Sequence, residues 1–371
     1  MAQLLAPGPF AIALSGGGDS VALMLLSADW LREHRKEPGA NAVLIVDHAL
    51  RVGSAKEAAL VAEWATRAGF KAHILNWRGS KPRSDIEAEA RNARYALLGG
   101  YCRQRGIGQL LVAHTRDDQA ETFLLRLGRG SGVDGLSAMR PRAAFPLKGY
   151  DEIELIRPLL AVGRSELRDF LVGRGTDWLE DPMNADSRFA RTRVRELLPQ
   201  LQSAGVSTSR ISQAAAHLAR AREALDEETR AFLERHSRVG SRSFLLDGRA
   251  LKLIPREIGL RALSVSLMRV GGAQYRPRFE RLEQLYEGLI SGSFTQARTL
   301  SGCRVGLAAK AEQAFGPATL EIRREGPRKS RFAGTKSGAD CPEPAFETDF
   351  VTRKGEKLPK KGRIIPLPSN S

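Results

Sequence analysis

Cysteine is scarce in this chain of 371 residues, with only Cys102, Cys303 and Cys341, all far apart. Such spacing excludes a disulfide framework and a C-x-x-C metal or redox pair, and it predicts a reducing, cytoplasmic setting. Long apolar runs are missing too. No uncharged stretch reaches the roughly 20 residues that a membrane-crossing helix needs. The first eighteen residues hold no charged side chain, yet no Lys or Arg precedes Arg32, and Pro7, Pro9 and four glycines interrupt the run. A secretory signal, with its basic start and unbroken apolar centre, is therefore not expected.

Acidic residues are the minority, 42 against 58 lysines and arginines, for a formal net charge of +16. That excess favours a polyanionic partner, because cations that neutralise phosphates release condensed counterions. At 42% hydrophobic residues the chain has material for a sizeable core, and its length allows two or three domains. Residues 1–130 alternate short apolar runs at 10–14, 42–46, 71–75 and 109–113 with segments of three-to-four spacing. These carry Val21, Leu25 and Leu26, then Leu60, Val61 and Trp64, then Ile86, Ala90, Ala93 and Leu97. Strand alternating with helix predicts an α/β fold with a doubly wound, mostly parallel sheet. Ligands bind such sheets beyond the carboxyl ends of the strands, so the residues that follow each strand matter most.

After the first strand comes Ser15-Gly16-Gly17-Gly18-Asp19-Ser20, leading directly into a helix. It is neither a Walker A loop nor a dinucleotide fingerprint. Successive glycines let the backbone approach a ligand closely, and the N–H groups at a helix start form an anion cradle. Ser15 and Ser20 offer hydroxyls, and Asp19 can hold a divalent cation against phosphates. An ordinary strand-to-helix turn with Asp19 or Ser20 as N-cap explains the same residues.

Asp47 and His48 follow the second strand; alone, they read as the start of a solvated loop. The fourth strand leads into His114-Thr115-Arg116-Asp117-Asp118-Gln119-Ala120-Glu121, where a helix starting near Asp117 puts Asp118 and Glu121 on one face. Acids there are equally expected as favourable charges at a helix N-terminus. His114 and Glu121 are not explained that way. A third cluster, residues 178–195, holds Arg188, Arg191, Arg193 and Arg195 with Phe189 among them, which suits a phosphate backbone and a splayed base. A solvated basic face is the plainer reading, and Arg91 and Arg94 beside Tyr95 share that ambiguity.

Taken in order, residues 15–20, 46–51, 86–95, 114–136 and 178–195 resemble successive signature segments of the tRNA(Ile)-lysidine synthetases, ATP pyrophosphatases of the PP-loop superfamily. The resemblance covers about the first 200 residues. Its D-D-Q-x-E-T-F-L-L and R-G-S-G-x-x-G-L strings are more specific than the glycine loop. Thr115, Met183, Phe189 and Thr192 depart from the residues usual in that family.

The resemblance implies an enzyme that uses ATP and Mg²⁺ to adenylate O2 of the wobble cytidine in the CAU-anticodon isoleucine tRNA. L-lysine then displaces AMP at C2, and decoding changes from AUG to AUA. It assigns ATP binding to Ser15, Gly16, Gly17, Gly18, Asp19 and Ser20, with Asp19 on the metal. Catalysis or substrate binding falls to Asp47, His48, Arg94, His114, Asp118, Glu121 and Arg193, and tRNA binding to Arg188, Arg191 and Arg195. Arg193 is preferred over its neighbours by motif position alone. A thiolating PP-loop enzyme, which commonly needs paired cysteines, and a non-catalytic ATP- or RNA-binding module are the alternatives.

Residues 1–200 are thus expected to form the catalytic domain. In residues 201–325 Ile211, Leu218, Leu225 and Phe232 repeat every seven positions, and Phe279, Leu282, Leu285, Tyr286 and Leu289 mark a second amphipathic helix. Strand-like runs at 304–308 and 319–322 complete a smaller helical or α+β domain, expected to bind tRNA. His217, Arg220 and Arg222 ride on the first helix, most simply as a solvated face. From residue 326 the chain has ten basic and five acidic residues, six prolines and five glycines, which predicts a disordered basic tail. The oligomeric state stays open, a homodimer included.

Overall fold

The computed structural model describes residues 1, 3–49, 53–77, 86–180, 190–240, 243–273, 276–292 and 296–326. Arg188 and all but the first residue of the expected tail lie outside them. The chain divides into two compact units, Met1–Arg222 and Glu223–Ser371, with the boundary inside a helix.

The first unit is built on a six-stranded sheet of β1 (Ala11–Ala13), β2 (Ala42–Asp47), β3 (Lys71–Asn76), β4 (Gln109–Leu111), β5 (Arg142–Ala144) and β6 (Glu154–Ile156). The spatial order is β3-β2-β1-β4-β6-β5, and only the edge strand β5 runs antiparallel to its neighbour. Ala11 pairs with Ala42 on one side and Leu110 on the other, so β1 is central. Alternation of side chains sends Phe10, Ile12, Leu14, Val43, Ile45, Leu111 and Ile156 to one buried face. Ala11, Leu44, Leu110, Val112 and Leu155 go to the other, where they meet Tyr95, Leu98 and Cys102. A sheet buried on both faces is the doubly wound arrangement the apolar runs predicted.

The helices of this unit are α1 (Gly18–Glu33), α2 (Ser54–Arg67), α3 (Ile86–Gln104), α4 (Arg116–Leu127), α5 (Val133–Leu136), α6 (Arg164–Gly173), α7 (Ala190–Ser203) and the first half of α8 (Thr208–His236). After β3 the chain returns to the far side of β1 to lay down β4, which makes the β1/β4 gap the topological switch point. The loops into α1 and α4 leave the sheet there side by side. Strands β5 and β6 were not anticipated from the sequence: each is only three residues long, and each includes a charged residue.

The second unit holds an antiparallel sheet, β7 (Ser237–Val239), β8 (Phe244–Asp247), β9 (Arg298–Leu300), β10 (Cys303–Leu307) and β11 (Thr319–Arg324), in the order β7-β8-β11-β10-β9. With α9 (Gly248–Leu253), α10 (Arg256–Gly271) and α11 (Phe279–Ile290) it encloses Phe244, Leu246, Leu263, Leu267, Tyr286, Val305 and Ile322. The amphipathic helix at 279–290 and the strands near 304 and 319 appear as expected. Helix α10 was not anticipated because it is buried nearly all round, Ser264, Ser266 and Arg261 included, and so shows no apolar stripe. No helix among the described residues is long and apolar enough to cross a membrane.

Candidate active site

The glycine loop is held by its own serine. Ser20 Oγ accepts from Ser15 N at 3.2 Å and donates to the Gly17 carbonyl at 2.8 Å, drawing the loop closed. Gly16 has φ +88°, and a Cβ there would lie 2.7 Å from Val61 Cγ2 and 3.0 Å from Leu179 Cδ1. Leu179 N in turn donates to Gly16 O at 2.9 Å, so the segment after α6 straps the loop. The N-cap of α1 is Gly17, not Asp19 or Ser20, and no side chain caps the helix. Its first N–H groups are left for an anion, while Ser15 stays exposed and Ser20 is buried.

Across the switch point Thr115 caps α4, and Asp118 closes the capping box. Asp118 Oδ2 accepts from Thr115 N and Thr115 Oγ1, both at 2.8 Å. Asp118 and Glu121, buried on one helix face, meet a residue that the sequence did not single out. Arg164, the first residue of α6, donates from Nη2 to Asp118 Oδ1 at 2.6 Å and from Nη1 to Glu121 Oε1 at 2.7 Å. Its Nε reaches Asp19 Oδ2 at 3.2 Å, and its backbone N donates to Asp117 Oδ2 at 2.9 Å. One guanidinium therefore gathers acids from the glycine loop and from α4.

Burial raises the Asp19 carboxyl above its ordinary value, more than Arg164 lowers it, and the Asp118 charge adds to the rise. Burial would raise Asp118 as well, but the Arg164 charge and the Thr115 hydrogen bonds hold it below the usual range. Glu121, fully buried, also accepts from Arg195 Nε at 2.6 Å.

The opposite side of the site is cationic. Arg91 and Arg94 lie over the Tyr95 ring, with their guanidinium carbons 5.1 and 5.6 Å from its centroid. Burial pulls Arg94 below the ordinary arginine value, and repulsion from Arg91 and Arg191 adds to this. Beyond β6, Arg157 Nε donates to His114 Nδ1 at 3.2 Å. Burial, with Arg157 next in weight, lowers His114 to about 4. Arg157, like Arg164, escaped sequence reading because it belongs to the short β6 region, whose place in the sheet no local pattern reveals.

The remaining residues divide plainly. Asp47 is buried and its Oδ1 accepts from Ala49 N at 2.9 Å; His48 stands edge-on to Trp77; neither joins the Arg164 network. On α7 the arginine brought to Glu121 is Arg195, whereas Arg193, preferred from motif position, is exposed, and Arg191 is half-buried. Positions two apart on a helix are turned by about 200°, so these two arginines cannot share a face. Arg222 is buried, not solvated, and donates to Ser137 Oγ.

Residues 3–201 match the family model of the PP-loop domain. The tRNA(Ile)-lysidine synthase of Ruegeria pomeroyi is 40% identical over 311 residues, covering 80% of this chain and 71% of that protein. The synthase of Bradyrhizobium diazoefficiens is 41% identical, covering 73% of this chain and 75% of the relative. That of Wolbachia pipientis is 38% identical, covering 80% and 67%.

Proposed function

The chain belongs to the tRNA(Ile)-lysidine synthase family, and on that footing we propose that it joins L-lysine to the wobble cytidine of the CAU-anticodon isoleucine tRNA through an adenylated intermediate at the Arg164-centred site. The observation that carries this reading is the position of two buried acids. Asp118 and Glu121 lie on one face of α4 and are held by Arg164, which also reaches Asp19 of the glycine loop and so sets the acids beside the phosphate cradle.

In the first step cytosine O2 forms a bond to the α-phosphorus of ATP, and the bond to the β-phosphate oxygen breaks, releasing pyrophosphate. The uncapped N–H groups of the Ser15–Ser20 loop hold the leaving phosphates, and Arg94 with His114 donates to oxygen on which charge develops. In the second step the lysine amine forms a bond to C2 and AMP leaves. Asp118 and Glu121 bind the ammonium and receive its proton, with Arg164 keeping both carboxylates in place.

The residues fit Mg²⁺ as well. Asp19 offers one carboxylate beside the phosphate cradle, and no cluster of three or more ligating side chains occurs among the described residues. Mg²⁺ commonly takes one or two carboxylates and completes its shell with phosphates and water. Bound by Asp19, it would neutralise triphosphate charge.

The tRNA contacts in this proposal come from residues 201–325, the basic segment from 326, and Arg188, Arg191 and Arg195. A reducing cytoplasm is the compartment that suits this substrate. The deciding assay incubates the chain with ATP, labelled lysine and the isoleucine tRNA transcript. Lysine incorporation with stoichiometric AMP is expected, and elongator methionine tRNA, which has the same anticodon, stays unmodified. Absence of AMP would leave an ATP- or RNA-binding module.

A further inference from the structure

We infer that Arg157 is a positioning residue that fixes His114 as a neutral imidazole with its proton on Nε2, so that His114 serves as a hydrogen-bond donor and not as the base that takes lysine's proton. The use made of that donor rests on the activity proposed above; the tautomer is a property of the chain.

A guanidinium has donors only, so a guanidinium N–H 3.2 Å from His114 Nδ1 makes that nitrogen the acceptor. A neutral imidazole has one donor and one acceptor, and the proton therefore sits on Nε2. Protonating Nδ1 would set N–H against N–H and place a cation beside Arg157. Arg157 is itself tied down. Its Nη1 donates to Arg140 O at 2.8 Å, its backbone N to Pro141 O at 2.8 Å, and it is 9% exposed. Pro158 follows it and favours extended backbone at Arg157, which prolongs the line of β6 and aims the side chain consistently.

The charged groups acting on His114 come from four elements: Arg157 past β6, Asp118 on α4, Arg191 on α7 and Arg91 on α3. Only Asp118 favours a cationic ring, and that carboxylate is already engaged by Arg164 and Thr115. Among the described residues His114 Nε2 has no protein partner, which leaves its N–H for an oxygen of the base or the phosphate. The proton of the lysine amine then falls to Asp118 and Glu121.

Histidine-selective ¹⁵N labelling of the full chain reads the tautomer directly, with the His114 signals assigned by their loss in His114→Gln. At neutral pH the wild type should show a pyridine-like Nδ1 and a protonated Nε2. Arg157→Met should weaken that preference to a mixture of the two tautomers, and AMP formation with tRNA and lysine should fall about 100-fold. Arg157→Lys, which keeps a cationic donor, should recover both in part, and His114→Gln, which keeps an N–H without a titratable proton, should outperform His114→Ala. A wild-type ring protonated on Nδ1 overturns the inference, as does an unchanged tautomer in folded Arg157→Met. Should Arg157→Met not fold, the wild-type ring decides alone: a proton on Nε2 supports the inference and a proton on Nδ1 overturns it. A chain with the expected tautomer but no AMP release would refute the proposed activity and leave the tautomer standing.

Discussion

Arg164 ties the Ser15–Ser20 loop to the acids of α4, and the proposal makes the two half-reactions separable because it gives adenylation to the loop and lysine to the acids. In Asp118→Asn and Glu121→Gln the ammonium loses an anionic partner while the Ser15–Ser20 loop, Arg94 and His114 remain. Single-turnover assays with α-phosphate-labelled ATP should therefore accumulate adenylated tRNA that lysine fails to discharge, with transfer reduced about 100-fold or more. Loss of the adenylated species itself would instead assign these acids to the metal.

The same centre shapes the acid limb of stability. Asp118 is held below its ordinary value in the folded chain, so its ionised form stabilises the fold above the normal carboxylate range, and this is lost as pH falls through the lowered value. His114 sits at about 4 instead of 6.5, so the unfolded chain takes up a proton first. From about pH 6.5 down to 4 this destabilises the fold increasingly, and below that the loss is constant. Melting curves of the ligand-free chain should show His114→Gln flattening the upper window and Asp118→Asn only the more acidic one. An unchanged slope between the two pH values in His114→Gln would contradict the assignment.

Helix α4 depends on one hydroxyl. The backbone and side chain of Thr115 hold Asp118 in a reciprocal cap. Thr115→Ala should cost roughly 1 kcal/mol of stability, read as a lower denaturation midpoint, and should loosen Asp118 on Arg164. Thr115→Ser keeps the oxygen and should behave nearly as wild type. Equal stability in the alanine and serine variants would show that the cap contributes nothing. Element packing also explains the glycine two positions before α1. A side chain at Gly16 would strike Val61 on α2 and Leu179 after α6, so the loop's shape is set by two neighbours as well as by its own serines.

For the whole molecule, a net charge of +16 implies tRNA binding that falls steeply with salt. Log affinity should decline linearly with log salt, and Arg188→Ala and Arg191→Ala should each reduce the slope by about one. A flat dependence between low and physiological salt would rule out phosphate neutralisation as the source of affinity.

The features legible from residue order were those written in contiguous stretches. Short apolar runs between helical spacing imply a doubly wound sheet. The Ser15–Ser20 loop and the His114–Glu121 segment carry their candidate groups within a few positions, and the crevice at the switch point follows once β1 and β4 are neighbours. Arg164 and Arg157 were not legible in this way. Each finds its partners more than forty positions away in sequence, through a strand of three residues with no periodicity to announce it. That Arg195 is the arginine paired with Glu121 depended on the rotational phase of α7, which motif spacing cannot supply. Local pattern specifies which chemistry a segment can offer. Which guanidinium meets which carboxylate follows from the packing of distant elements on one sheet edge, where burial makes each pairing strong enough to matter.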